Sequence, residues 1–111
     1  MNTKQFYENL SKTKYKYKWV RGKNTDEEIR GVVRRGPWKG NYCCPITAVC
    51  LDTTGEFFSF TDYENAAKAI KLTIKAAKVA EAADNPPEDL DRKELREIRQ
   101  NLLTSLGFVG E

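Results

Sequence analysis

The stretch Lys14-Tyr15-Lys16-Tyr17-Lys18-Trp19-Val20 alternates strictly between cationic and apolar residues. Successive side chains of an extended chain point to opposite faces, so Lys14, Lys16 and Lys18 share one face and Tyr15, Tyr17 and Trp19 the other. A helix would scatter both sets around its circumference. The pattern therefore predicts a strand with one wet face and one aromatic face that something must cover. Ile29–Val33 predicts a second strand, and its pairing with Tyr15–Val20 gives an antiparallel hairpin across the turn-forming Gly22-Lys23-Asn24-Thr25-Asp26. A helical turn over Asp26–Arg30 competes with that second strand.

Helical signals surround the hairpin. Residues 3–11 place Phe6 and Leu10 four apart, which predicts a short first helix. Gly36-Pro37-Trp38-Lys39-Gly40-Asn41 is a punctuated loop carrying one large aromatic. Pro45 suits the first turn of a helix over 45–52, because its missing N–H is one that turn leaves unpaired. A strand over Ile46–Leu51 stays open, since β-branched residues favour it. Thr61 and Glu64 have capping-box spacing ahead of an alanine-rich segment from Asp62 to about Ala83. Ala66, Ile70, Thr73, Ile74, Ala77 and Ala80 share one face of that segment, and Leu72, Ala76, Val79 and Ala83 form a second apolar stripe. Lys68, Lys71, Lys75 and Lys78 lie nearly opposite the first. Two readings fit: one helix packed on two sides, or two helices broken near Thr73. Asp84-Asn85-Pro86-Pro87 ends it. A last helix over 91–106 follows, with Asp91 as cap, Leu95, Ile98, Leu102 and Leu106 on one face, Gly107 as its left-handed terminator and Phe108 packing behind it.

These elements fit one domain in 111 residues. The expected fold class is α+β, a small helical domain with a short antiparallel hairpin or sheet near the N-terminus. No apolar run approaches the roughly 18 residues that cross a membrane, and the first eight residues carry no signal-like stretch. Neither a membrane nor a secretory route is expected. Cys43, Cys44 and Cys50 are an odd, clustered set that reads as reduced thiols of a cytoplasmic protein. The absence of histidine removes the commonest general base and the commonest metal ligand. Charge is polarised. Residues 1–40 hold eleven Lys or Arg against four acids, a net of +7, whereas residues 84–111 hold four against seven, a net of −3.

Several constellations bear on function. The lysines of the alternating strand can meet phosphates or acidic side chains. Their plainer reading is a solubilising face that discourages edge pairing. Lys12, Arg21, Lys23, Arg34, Arg35 and Lys39 enlarge the basic surface if the strands pair, and the helix lysines add to it only if they face the same way. Tyr15, Tyr17 and Trp19 belong to the core in this reading, leaving Trp38 as the exposed aromatic anchor. Cys44-Pro45-Ile46-Thr47 superficially looks like a single-cysteine glutaredoxin motif, but no hydrophobic central strand leads into it. Three clustered cysteines without histidine make a poor zinc set. No phosphate-binding glycine loop or Ser–His pair appears.

Trp19, Ile29-Arg30, Cys44-Pro45-Ile46-Thr47-Ala48-Val49 and the alanine-rich segment ending Ala82-Ala83-Asp84-Asn85 together resemble a group of small uncharacterised bacteriophage-encoded proteins. The resemblance covers most of the chain, although the lysine-heavy first strand and Cys43 depart from it. It implies a viral or mobile-element accessory protein in the bacterial host cytoplasm and brings no catalytic residue with it. The expectation is a non-enzymatic protein without cofactor or metal. It would bind a host macromolecule through Lys14, Lys16, Lys18, Arg21, Arg34, Arg35, Trp38, Lys39, Lys71 and Lys75. An acidic protein surface, such as a defence-system component, is the first choice of partner and nucleic acid the alternative. A homodimer, paired across the short sheet or packed through the alanine-rich helix, is compatible with either.

Overall fold

A computed structural model describes residues 1–21, 29–84 and 90–108, the side chains of residues 21, 60 and 82–84 excepted. The turn expected at Gly22–Asp26 and the double proline of Pro86-Pro87 lie outside the described residues. Five helices and a three-stranded antiparallel sheet form the α+β domain: α1 (Thr3–Ser11), β1 (Tyr17–Arg21), β2 (Ile29–Val33), β3 (Tyr42–Cys43), α2 (Pro45–Thr54), α3 (Tyr63–Ala69), α4 (Ile74–Asp84) and α5 (Arg92–Ser105).

Strand order is β1-β2-β3, so the expected hairpin is present, with Trp19 opposite Gly31 and Tyr17 opposite Val33. The strand itself starts later than the alternation predicts. Residues Lys12–Tyr15 form a 3-10 turn that prolongs α1. The reason is Thr13, fully buried, whose hydroxyl donates to the Leu10 carbonyl at 2.7 Å while its own carbonyl takes the Lys16 N–H at 2.9 Å. Tyr15 consequently leaves the expected core and stands 77% exposed. β3 was not anticipated. Gly40, at φ 88°, and Asn41 together oppose Val33, whose carbonyl accepts from Gly40 and whose N–H donates to Asn41. That bulge turns Tyr42 and Cys43 back alongside Val32 and Gly31.

Helix α2 is the hub. Pro45 occupies its first turn and Gly55, at φ 78°, terminates it. It touches α1, α3, α4, β2 and β3, and every residue from Cys43 to Cys50 is buried. Phe6, Leu10, Ile46, Val49 and Leu102 fill the main core between α1, α2 and α5. Tyr17, Val33, Cys43 and Ala48 fill a second cluster beneath the sheet. Burying such side chains is worth about 1.5–3 kcal/mol each.

The alanine-rich segment is two helices, broken where Thr73 stands. Leu72 N–H reaches the Ala67 carbonyl at 2.9 Å and Lys71 N–H the Lys68 carbonyl at 3.1 Å, with Lys71 left-handed at φ 54°. This is a Schellman ending with lysine where glycine is usual. Thr73 then caps α4 by accepting the Ala76 N–H at 3.1 Å, and the Met1 carbonyl accepts the Thr73 N–H. The capping box expected at Thr61 and Glu64 is not formed. Ser59 accepts the Thr61 N–H and heads a 3-10 turn over Phe60–Asp62, so α3 starts only at Tyr63. By contrast, Asp91 caps α5, Gly107 sits at φ 86°, and the Phe108 N–H closes onto the Leu103 carbonyl as expected.

Candidate binding face on the sheet

The two faces of the sheet follow from register. Tyr17, Trp19, Ile29, Gly31, Val33 and Cys43 alternate onto the inner face above α2, where Tyr17, Ile29, Val33 and Cys43 are almost wholly buried. Gly31 is required there: a Cβ would lie 2.9 Å from Trp19 Cζ3 and 3.0 Å from the Cys43 carbonyl oxygen. The indole occupies the space a side chain at position 31 would need.

Lys18, Val32 and Tyr42 line up across the outer face, with Val20 and Arg30 paired beside them. Val20 is 45% and Tyr42 53% exposed, and Lys18 and Arg30 are also exposed. The Arg30 guanidinium lies over the Tyr42 ring, 5.7 Å from its centroid, which holds both side chains in place. Arg34, Arg35 and Lys39 are exposed in the β2–β3 connection. The outcome is an outer face on which the cations Lys18 and Arg30 alternate with Val20, Val32 and Tyr42.

The anticipated residues divide between this face and other places. Lys18 lies on it, and Arg34, Arg35 and Lys39 lie in the connection at its border. Lys16 is committed elsewhere, in an ion pair with Asp52 of α2. Lys14 belongs to the 3-10 turn, its ammonium 5.1 Å from the centroid of the Tyr15 ring. The Arg21 side chain lies outside the described residues. Trp38 is no free anchor: its ring is half-buried and stacked on Phe57, centroids 5.6 Å apart and planes 14° off parallel. The helix stripe is divided by the break, with Lys71 in the turn and Lys75 on α4. Val20, Arg30, Val32 and Tyr42 were not anticipated as site residues. The in–out alternation of Ile29-Arg30-Gly31-Val32-Val33 carried part of that signal, but Tyr42 had none, because its strand is two residues long.

A groove of about 940 Å³ runs between α3, α4 and α5 over Ala67, Leu72, Ala77 and Ile98. Its walls mix Lys68 and Lys78 with Glu64, Glu81 and Glu94, so it offers no cationic track. Glu81 beside Tyr63 raises that phenol's pKa.

All three cysteines are buried. Burial pushes the Cys43 thiol up to about 12, and burial also raises Cys44 and Cys50. Cys44 stands at the start of α2, where a helix dipole would favour a thiolate, yet desolvation outweighs it. The glutaredoxin-like reading fails on that burial. Among the described residues no group of three His, Cys, Asp or Glu side chains comes together as a metal site, and no helix is long and apolar enough to cross a membrane. No family model, curated protein or solved structure matches the chain.

Proposed function

We propose that the chain is a non-enzymatic binding domain whose outer sheet face docks on an acidic surface of a partner protein. One observation carries the reading: Lys18, Val20, Arg30, Val32 and Tyr42 share one face of the sheet, cations alternating with apolar side chains of which Val20 and Tyr42 are exposed, while Tyr17, Ile29, Val33 and Cys43 of the other face are buried in the core. Apolar atoms at the centre of a contact supply affinity once desolvated, while the surrounding cations select an acidic partner and speed its approach. In the setting the phage resemblance implies, that partner is a host protein of the bacterial cytoplasm, such as a defence-system component, and a reducing cytoplasm suits three free cysteines.

Nucleic acid is the second reading, favoured by the exposed Tyr42 ring among cations, since a base stacks on such a ring. Several lysines that would track a phosphate backbone are placed against it: Lys16 pairs with Asp52, and Lys68 and Lys78 share their groove with three glutamates. A salt titration with labelled single- and double-stranded DNA and RNA separates the two. The protein-binding reading expects no retention at physiological salt. Affinity that falls steeply with salt and vanishes when Lys14, Lys16 and Lys18 are neutralised together would overturn it in favour of nucleic acid.

A further inference from the structure

Resting on that reading, we infer that the partner is held by strand addition: an extended acidic segment pairs antiparallel with the edge of β1 that no described strand covers and continues the outer face. β1 is an outer strand of the sheet. Which of its main-chain groups are free follows from the hydrogen bonds beside it. Arg34 donates to the Lys16 carbonyl at 3.3 Å, so the Lys16 C=O and, in phase with it, the N–H and C=O groups of Lys18 and Val20 point at β2, while the Lys16 N–H closes the turn onto Thr13. Val33, one residue out of phase, turns instead to Gly40 and Asn41 on the β3 side, which fixes the same phase from the far edge. Tyr17, Trp19 and Arg21 therefore present their main-chain donors and acceptors away from β2, and no described strand takes them.

Charge decides the occupant. Lys18 stands on the outer face of the edge, with Arg30 and Arg34 on the neighbouring strand and its extension. A second copy would bring the same cations against these, which is how edge lysines prevent self-pairing. An incoming strand with carboxylates beside Lys18 extends the Lys18–Val32–Tyr42 row by one complementary position, and main-chain bonds supply the register. Residues of that strand opposite Trp19 bond to β1 and point inward; those opposite Lys18 and Val20 do not bond to β1 and point outward.

The test uses the full chain and an eight-residue peptide alternating Glu and Val. On peptide addition, hydrogen exchange followed by NMR is expected to slow at the Tyr17, Trp19 and Arg21 amides and to stay unchanged at Lys18 and Val20. Methylating the valine amides of the peptide is expected to weaken binding roughly tenfold or more, whereas methylating the glutamate amides is tolerated. Equal tolerance of both methylations, or no protection at the three edge amides, overturns strand addition. Loss of a face-dependent partner in a Tyr42→Ala variant would still stand in that event, so the two readings fail separately. Self-association of the free chain through β1, seen by sedimentation, would also overturn the acidic occupant.

Discussion

The inner and outer faces of one small sheet do opposite work. The described inner side chains are spent on packing: Ile29 is 1% exposed, Tyr17 donates to the Ala48 carbonyl at 3.3 Å, and Gly31 yields its side-chain space to Trp19. The outer positions one residue away are apolar or cationic, with Lys18, Val20, Arg30 and Tyr42 exposed and Val32 half-buried. Alternation along a strand lets five-residue segments serve both ends, so the difference locates function where stability does not need the side chain.

Substitutions measure that division. The largest effect is expected for Ile29→Ala, which should cost about 2–5 kcal/mol in denaturant unfolding because it empties a filled site. Gly31→Ala follows at about 1–3 kcal/mol, since the new methyl must displace the indole or the β3 backbone. A loss below about 0.5 kcal/mol there would show that Trp19 does not depend on position 31. On the opposite face, Val20→Ser and Lys18→Ala should each change stability by no more than about 0.5 kcal/mol. A larger cost would mean that the outer face is structural as well.

Cys43 supplies a pH test of the inner face. Its thiol is pushed from 9.0 in the unfolded chain to about 12 by burial. Between those values the unfolded chain loses the proton that the folded one keeps. Stability should therefore be intact below pH 9 and decline as pH rises toward 12. A Cys43→Ser variant with the same alkaline decline would remove the cysteine from the account.

Local signals made much of this fold legible. Phe6 and Leu10, Pro45 at the start of α2, and Gly107 with Phe108 each name a helix face or end through contacts a few residues away. What stayed hidden depends on distant partners. Thr13, buried beneath the end of α1, holds a 3-10 turn over the start of the alternating stretch and so carries Tyr15 out of the core. The break near Thr73 was one of two open readings, with no glycine at Lys71 to decide it; Met1, seventy positions away, holds the turn. β3 exists only because a bulge at Gly40 returns the chain to β2. Of the anticipated site residues, Lys18 lies on the sheet face and Arg34, Arg35 and Lys39 in the connection at its border, while Lys16 pairs with Asp52 and Trp38 stacks on Phe57, partners no local pattern shows.

The most direct measurement compares matched baits. Immobilised wild-type chain, an Arg30→Glu/Tyr42→Ala variant and a Lys75→Glu variant would be exposed to the same bacterial lysate, after thermal melts confirm that all three are folded. The outer face as the binding surface predicts a protein retained by wild type and by Lys75→Glu and lost with the double variant. Equal retention by all three baits would contradict it.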